Sequence, residues 1–366
     1  MLWRSALVAA LWLIAGRASA APPAMWPVDR TPEQRVYIDG SGNVRLRGPY
    51  GAALPFSNGL ARAAADGALF GFLDARGVWR VAPRFEEARD FHEDLAAVGL
   101  RPVDEPDVGP LPWGYIDRTG KLVVPAVFGG ALDFSEGLAP IAGLADGGKW
   151  GYIDHTGAIA IAPQFDAADV FVDGLAAATA AGPVATRRAG FIDRTGRWVI
   201  AAVYRATHGF SEGLAAVTTE ARTCGYIDKN GDFAIAAQFL ACGAFHEGLA
   251  AVQTTSGSAY VNPRGEIVIP GPFAVAGDFS GSLAFVEAAG VYGFYIDRTG
   301  KPILPTVFAR TRRERLVLVS GQPFAGHVAA VVVRRAEQTR GSDPAWIDRH
   351  GRIIWRSRIP ACTRDR

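Results

Sequence analysis

Residues that could carry acid–base chemistry recur at matching places in this chain of 366 residues. His92 and His246 each follow a Phe and precede an acid, Glu93 and Glu247. A His beside a carboxylate is a pair that general acid–base catalysis uses, provided that such groups converge in one pocket. Other copies of the same place carry Ser in front of Glu: Ser135-Glu136 and Ser211-Glu212. Because the His residues merely substitute at a repeated position, we interpret them as turn residues and assign no catalytic residue.

A row of Asp residues, each three positions before a Gly, is the second candidate for chemistry. A calcium loop places several oxygen ligands within about a dozen residues. Each of these turns offers one acid, often beside an Arg, as in Asp117-Arg118. We therefore predict a structural turn residue and neither a metal site nor a cofactor. Gly-rich phosphate loops of the common kinds are absent from the sequence.

The chain has three cysteines. Cys224 and Cys242 lie in one repeat unit, and the sequence leaves open whether they form a disulfide or remain two buried thiols. Cys362 lies close to the C-terminus. An oxidising compartment would favour the disulfide.

These residues belong to a motif that occurs nine times: an aromatic residue, a branched apolar residue, Asp or Asn, two residues, and Gly. The Asp or Asn positions are Asp39, Asp74, Asp117, Asp154, Asp193, Asp228, Asn262, Asp297 and Asp348. Eleven residues after most of them comes an aromatic, and seventeen residues after most of them comes a Phe, as in Tyr204 and Phe210 after Asp193. We call this stretch the link. A Gly-Leu-Ala element such as Gly213-Leu214-Ala215 follows it.

The motif predicts short antiparallel strands. Asp or Asn followed by Gly at this spacing is typical of a tight turn, and apolar residues alternate after the Gly, as at Trp198 and Ile200. Each unit is expected to form three strands, with the link as either one helical turn or a fourth short strand. The sequence predicts an all-β array of about nine units of 34–51 residues over residues 25–355, in which neighbouring units share an aromatic core.

The arrangement of the units is less strongly specified. Met25–Val28 stands where the first strand of a unit is expected, so the first unit carries its own first strand. We therefore expect an open, superhelical stack, with a closed β-propeller as the alternative. The basic insertion Arg310–Arg315 is expected to be a solvated loop, with an anionic partner as the alternative.

Composition and the N-terminal sequence limit the possible partners and the location of the protein. The net charge of +2 gives no reason to expect nucleic-acid binding. Residues 1–20 combine Arg4, an apolar stretch and Ala18-Ser19-Ala20, which predicts a signal peptide cleaved near Ala20. No later segment approaches the length of a membrane span. The mature protein is therefore expected to be periplasmic or secreted, with residues 356–366 as a tail.

Two segments connect the pattern to a known family. They are Trp113-Gly114-Tyr115-Ile116-Asp117-Arg118-Thr119-Gly120 and Lys149-Trp150-Gly151-Tyr152-Ile153-Asp154. With the link and the Gly-Leu-Ala element, the chain resembles the WG-repeat family over residues 25–355. The resemblance implies a repeat architecture and use in the bacterial envelope, and it implies no reaction.

The expected function is a non-catalytic, exported scaffold that binds a protein or an envelope glycan through an extended surface. The variable loops Arg101–Pro112 and Thr179–Arg188 are the expected contact regions. An enzyme with a pocket between units and a purely structural spacer are the alternatives. The sequence assigns no binding residue and no oligomeric state.

Overall fold

The fold is described from a computed structural model. It covers residues 24–31, 34–65, 69–100, 109–144, 148–288, 293–304, 307–311, 314–335 and 342–357. The predicted signal peptide at residues 1–20 and most of the tail at 356–366 lie outside the described residues.

The described residues form seven antiparallel sheets, in which the strands follow one another in chain order. The first sheet holds β1 (Trp26–Thr31), β2 (Gln34–Ile38) and β3 (Val44–Tyr50). The second holds β4 (Ala52–Ser57), β5 (Leu60–Ala64), β6 (Phe70–Asp74) and β7 (Trp79–Phe85). The third holds β8 (Glu87–Ala88), β9 (Leu95–Gly99), β10 (Trp113–Asp117), β11 (Leu122–Ala131), β12 (Ala139–Gly143), β13 (Trp150–Ile153) and β14 (Ile159–Phe165).

The fourth sheet holds β15 (Ala167–Ala168), β16 (Ala176–Thr179), β17 (Ala189–Ile192) and β18 (Trp198–Tyr204), with a short 3-10 helix at Val184–Thr186. The fifth holds β19 (Ala206–Thr207), β20 (Ala215–Thr218), β21 (Cys224–Ile227) and β22 (Phe233–Phe239). The sixth holds β23 (Ala241–Cys242), β24 (Ala250–Thr254), β25 (Gly257–Val261), β26 (Ile267–Ala276), β27 (Leu283–Ala288), β28 (Phe294–Asp297) and β29 (Pro302–Leu304). The seventh holds β30 (Val307–Thr311), β31 (Glu314–Gly321), β32 (Val328–Arg335), β33 (Asp343–Asp348) and β34 (Ile353–Arg356).

The all-β prediction is confirmed, and the link proves to be a strand. In the fifth sheet the two-residue strand β19 pairs with β20, Ala206 opposite Thr218 and Thr207 opposite Val217. The sequence left a helical turn and a fourth strand open, and the structure shows the strand. In the two seven-stranded sheets one long strand, β11 or β26, ends one unit and begins the link of the next.

Aromatic rings from successive units form the core. The Tyr226 ring is fully buried and lies 4.8 Å from the ring of Phe245 in the next link. Its hydroxyl donates a hydrogen bond to the carbonyl oxygen of Gly243 at 2.8 Å. The same ring pairing joins the other units: Tyr37–Phe56, Phe72–Phe91, Tyr115–Phe134, Tyr152–Phe171, Phe191–Phe210, Tyr260–Phe279 and Tyr295–Phe324. The predicted sharing of aromatics between neighbours is confirmed.

At two positions the close approach of neighbouring atoms requires glycine. Gly231, the turn glycine, has φ of +89°, and a Cβ there would press on Ile200 of the preceding unit. Gly225, in front of the core tyrosine, lies against the next strand, so that a Cβ would overlap the carbonyl oxygen of Ile235. Larger residues would strain the turn at the first position and separate the strands at the second.

The first and last sheets are in direct contact. Trp26, Val28, Val36 and Ile38 form one apolar cluster with Val328. Partly buried side chains of the last sheet complete it: Trp346, Ile354 and Trp355. The Trp355 indole N–H also donates to the carbonyl oxygen of Asp29 at 3.4 Å. An open stack would keep its ends apart, so the expected open array is not supported, and this contact is the one that the closed alternative requires.

The prediction of a loop over Arg310–Arg315 is wrong for residues 310–311 and 314–315, which lie in strands. Arg310 lies in β30 and Arg315 in β31, and these strands pair with each other in an antiparallel ladder. Residues 312–313 between them lie outside the described residues. The described ends of the insertion are therefore part of the seventh sheet, and the ring of Phe324 beyond it packs 5.1 Å from Tyr295, as a link Phe does.

Candidate functional site

The recurring Asp is a turn residue, as predicted. Asp193 Oδ1 accepts backbone N–H bonds from Thr195 at 2.8 Å and Arg197 at 3.1 Å, together with the Thr195 hydroxyl at 2.6 Å. The Thr195 hydroxyl and the backbone donors hold the pKa of Asp193 below its ordinary value, against a smaller effect of burial. Asn262 makes the same contacts through Oδ1, to the N–H groups of Arg264 at 2.9 Å and Glu266 at 3.1 Å. A neutral amide therefore does the same structural work as the carboxylate.

The Glu of the link turn binds the next unit. Glu212 accepts the N–H groups of Glu247 at 2.7 Å and Gly248 at 2.8 Å, and Glu247 in turn accepts those of Gly281 at 2.6 Å and Ser282 at 2.8 Å. Earlier in the chain, the same contact joins Glu93 to Gly137 and Glu136 to Gly174. The sequence predicted turn residues, but not that these carboxylates bridge one unit to the next.

The Ser residues that precede these acids also form hydrogen bonds between units. Ser211 donates its hydroxyl to the carbonyl oxygen of Phe245 at 2.6 Å, and Ser135 does the same to Phe171. A Ser whose proton is held by a backbone carbonyl does not donate that proton to a catalytic base. These pairs are interface contacts, in agreement with their interpretation as turn residues.

The six His residues do not come together; no contact joins any two of them within the described residues. His92 and His246 each lie with Nε2 at 3.7 Å from an Asp of the next link, Asp133 and Asp278. His155 lies 2.9 Å from Glu93 and stacks on the ring of Phe134. The others are exposed at turns or links: His208, His327 and His350.

Among the carboxylic acids of the described residues, Asp133 has a raised pKa. Burial raises the pKa of Asp133, and the charges of Arg89 and His92 act against that rise. Asp133 Oδ1 and Arg89 Nε are both buried without a hydrogen-bond partner. This cluster is the nearest approach to the perturbed acids that the enzyme alternative predicts, but Glu93 and Glu247 are committed to backbone N–H groups elsewhere.

Cys224 and Cys242 form a disulfide, with Cα atoms 6.1 Å apart. Cys224 lies at the start of β21 and Cys242 in the next link, so the bond fixes one unit to the link of its neighbour. Cys362 lies outside the described residues. Within the described residues no three His, Cys, Asp or Glu side chains are grouped so as to hold a metal ion, and no helix is long and apolar enough to cross a bilayer.

The expected contact loops receive little support. Most of Arg101–Pro112 lies outside the described residues. In Thr179–Arg188, Arg187 pairs with Asp166 at 2.6 Å, and the side chain of Val184 is 76% exposed. The more regular exposed feature lies on the strand that follows each Asp-x-x-Gly turn.

Apolar side chains five residues after the Asp or Asn recur on this strand and are 38–52% exposed. They are Leu122, Ile159, Trp198, Phe233 and Ile267, which we call the outer row. Members of the row touch the preceding unit: the Trp198 ring lies 5.6 Å from Phe165, and the Phe233 ring 6.4 Å from Tyr204. One member of the row therefore lies in each of five successive units, and at Trp198 and Phe233 it contacts the unit before it.

Between the first and last sheets lies a pocket of about 380 Å³, which we call the seam pocket. It is lined by Pro27, Val28, Asp29, Arg35, Ala53, Leu54, Pro55, Ala330, Pro344, Trp346, Trp355 and Ser357. Arg35 Nε lies 2.8 Å from Asp29 Oδ1 at its rim.

Known proteins place the chain by its repeat. The WG containing repeat family matches residues 70–100, 113–142, 150–179, 190–220, 225–255 and 259–292. No curated protein matches the chain. Among solved structures it is similar to a crystal structure of the eukaryotic initiation factor, with a TM-score of 0.58 and 13% identity over 92% of this chain and 96% of that one. At this identity the similarity concerns the fold alone.

Two further structures have lower scores. Apo AztD from Citrobacter koseri gives a TM-score of 0.40 at 12% identity, over 80% of this chain and 92% of that one. Puromycin hydrolase gives a TM-score of 0.37 at 12% identity, over 74% of this chain and 53% of that one.

The six family segments together span more than half of the chain and carry the turns, links and bridging Glu residues described above, so the chain belongs to the WG containing repeat family.

Proposed function

We propose that this protein is an exported, non-catalytic scaffold whose nine units form a closed ring and bind a protein or an envelope glycan along the outer row. The observation that carries the proposal is the outer row itself: large apolar side chains left partly exposed at the same position of successive units. Exposed apolar groups that form a continuous surface are typical of interaction sites. A repeat array extends such a surface with every unit it adds.

The polar groups support a binding role over catalysis. Recurring polar residues of the units, such as Asp193, Ser211 and Glu212, are used in turns and in contacts between units. The signal-peptide pattern of residues 1–20 supports export. N-terminal sequencing of the protein from the periplasm or medium tests that part, with Ala21 expected as the first residue.

The outer row is tested with a matched pair of variants. Trp198→Ser with Phe233→Ser removes two adjacent members of the row, whereas Val184→Ser removes an apolar and more exposed side chain outside it. Each purified protein is immobilised and exposed to an envelope extract, and the bound proteins and glycans are identified by mass spectrometry. The proposal requires a partner that the wild type and Val184→Ser retain and the double variant loses. Equal capture by all three proteins would contradict it.

A further inference from the structure

The strand β18 has an open edge. We call the strand that follows each Asp-x-x-Gly turn the outer strand of its unit, and β18 is one of these strands. It is the last strand of the fourth sheet: it pairs with β17 on one side, and within the described residues no strand pairs with its other side. An open strand edge presents backbone N–H and C=O groups to which another extended chain can add.

Most outer strands carry a proline inside the strand. The prolines lie eight to ten residues after the Asp or Asn of the turn: Pro49 in β3, Pro83 in β7, Pro125 in β11, Pro163 in β14, and Pro270 and Pro272 in β26. Proline lacks the N–H that a strand edge donates, and natural proteins use it to keep edges from pairing. The strands β18, β22 and the four-residue β34 contain no proline.

The comparison of β18 with β11 isolates the effect of this proline. Both strands pair with their inner neighbour in the same register, Phe191 opposite Ile200 in one and Tyr115 opposite Val124 in the other. Their exposed side chains alternate along the strand as Val199, Ala201 and Val203 in β18 and as Val123, Pro125 and Val127 in β11. Because Pro125 has no N–H, this register needs no donor there. The N–H of Ala201 is therefore not required for pairing with β17.

The edge of β18 is also more apolar than that of β22. The equivalent exposed positions of β22 are Ala234, Ala236 and Gln238. In β18 the side chains of Val199 and Val203 are 48% and 55% exposed. Apolar side chains at alternate positions are what a further strand of the same kind would cover.

The ends of β18 are positively charged. Arg197 precedes the strand and Arg205 follows it, and both are exposed. Glu220 is shared by Arg188 and Arg205, with Arg205 Nη1 at 3.6 Å from Glu220 Oε2, so these three residues together keep one positive charge. A partner strand with acidic residues at its two ends would complement this edge.

A second copy of the chain fits the edge poorly. If two β18 strands paired antiparallel about Ala201, Arg197 of each copy would lie opposite Arg205 of the other. Like charges directly opposite each other destabilise strand pairing. The charges therefore favour a different, acidic partner.

We propose that the open edge of β18 binds an extended segment of a partner protein, which adds to the sheet as a further strand. The segment carries alternating apolar residues that pack on Val199 and Val203, between acidic residues that face Arg197 and Arg205. This inference rests on the proposed scaffold function and specifies its partner as a protein with such a segment.

A matched pair of proline substitutions tests the edge. Ala201→Pro gives β18 the residue that β11 has at the same position, so the strand keeps its inner pairing while its edge loses an N–H. Ala236→Pro makes the equivalent change in β22. A phage-displayed library of random linear peptides is selected on the immobilised wild type, and the selected peptides are synthesised and titrated against all three proteins by fluorescence anisotropy.

The selected peptides are expected to have apolar residues at alternate positions between acidic ones. They should bind Ala236→Pro as tightly as the wild type. They should bind Ala201→Pro at least about tenfold more weakly, because a backbone hydrogen bond is lost and the proline ring stands in the way of the added strand.

A charge reversal provides a second test that does not depend on the proline. Arg197→Glu with Arg205→Glu changes two exposed side chains outside the strand. This variant should lose the acidic peptides, and a new selection on it should yield peptides with basic ends. It decides the question if thermal unfolding shows that Ala201→Pro does not fold.

Several results would overturn the proposal. They are a selection that yields no binding peptide, equal binding of the peptides to the wild type and to folded Ala201→Pro, and unchanged binding after the charge reversal. A wild-type dimer in light scattering that Ala201→Pro abolishes would mean that a second copy occupies the edge.

Capture from envelope extract separates this proposal from the outer row. A protein partner that Ala201→Pro retains and that Trp198→Ser with Phe233→Ser loses would leave the outer row as the binding surface and refute pairing at the edge. Capture of glycans alone would refute a protein partner. Peptides that bind as expected, together with equal capture by the outer-row variants, would support the edge and contradict the outer row.

Discussion

The junction between the sixth and seventh units and the seam between the last and first units use the same positions in different ways. At the former, a continuous chain supplies the link, Phe245 packs on Tyr226, and a disulfide joins Cys224 to Cys242. At the seam, the described contacts are made by side chains of sheets that are distant in sequence, with Trp355 donating to Asp29. At the internal junction the continuous chain holds the link next to its neighbour. At the seam the two surfaces must meet at the entropic cost of closing a very long loop.

The difference identifies where the proposed ring is weakest. The junction between the sixth and seventh units combines a buried ring pair, a hydroxyl-to-carbonyl bond and a Glu that accepts backbone N–H groups. The seam offers an apolar cluster and one long hydrogen bond within the described residues. We therefore expect substitutions at internal junctions to cost more than equivalent ones at the seam.

Removing the link Phe is the largest expected effect. Phe245→Ala should lower the free energy of unfolding by about 3–5 kcal/mol, because a fully buried aromatic leaves a cavity between two units. Trp346 is half-buried at the seam, at the position that Tyr226 has in the internal junction. Trp346→Ala should therefore lower the free energy of unfolding by less. Urea unfolding followed by circular dichroism measures both. A loss at the seam equal to or greater than that at the internal junction would break the comparison.

The disulfide comes next. Cys224→Ala with Cys242→Ala should lower the free energy of unfolding by about 2–4 kcal/mol, because the cross-link restricts the unfolded chain. Ala189 occupies the position of Cys224 in another unit, so the alanine itself is compatible with the strand. The measurement is urea unfolding under non-reducing conditions, and wild type with reductant should match the variant. If the double variant were as stable as the oxidised wild type, the cross-link would add nothing to this junction.

The bridging Glu should contribute less than the disulfide. Glu247→Ala removes the acceptor of two backbone N–H groups, which should cost about 1.5–3 kcal/mol, and Glu247→Gln should cost less because one oxygen remains. Asp94→Ala is the control, since Asp94 is a highly exposed partner of Arg118. Asp94 has φ of +66°, where Ala is less favourable than Asp, so the thermal midpoint of Asp94→Ala should fall only slightly, and by less than that of Glu247→Ala. Equal shifts for Glu247→Ala and Asp94→Ala would show that the bridge is not used.

The smallest effect is the pH dependence of the turns. Hydrogen bonds from Thr hydroxyls and backbone N–H groups hold the pKa values of Asp117, Asp193 and Asp297 below the ordinary 3.8. A carboxyl whose folded pKa is depressed stabilises the fold above its unfolded pKa, and this contribution is lost as the pH falls through the folded value. Thermal midpoints should therefore fall from about pH 5 toward about pH 2.

Asp193→Asn sharpens this prediction. Asn262 shows that an amide keeps the backbone contacts of the turn, so the variant should unfold close to wild type at neutral pH and lose slightly less stability on acidification. Melting curves of both proteins across this pH range provide the measurement. A steeper acid loss in the variant would contradict the assigned cause.

Much of the fold follows from local spacing. The turn needs Asp or Asn at one position and Gly three residues later, and the buried rings of Tyr226 and its equivalents follow from the alternation that begins there. The sequence left undecided whether the disulfide forms, because spacing alone does not give the distance between Cys224 and Cys242. The Glu bridges and the seam were not predicted, since they depend on how units are placed: Glu212 reaches Gly248, and Trp355 reaches Asp29 across nearly the whole chain.

The contact between the first and last sheets is tested most directly by a distance between them. Spin labels at Ser41 and His350, both exposed turn residues, are placed in a Cys362→Ser background, and their separation is measured by pulsed electron paramagnetic resonance. Because the first turn approaches β34 closely at Gly42 and Ile354, a short, narrow distance distribution is predicted, in contrast to a long one between Ser41 and Thr195. A long or broad distribution for Ser41 and His350 would contradict the closed ring.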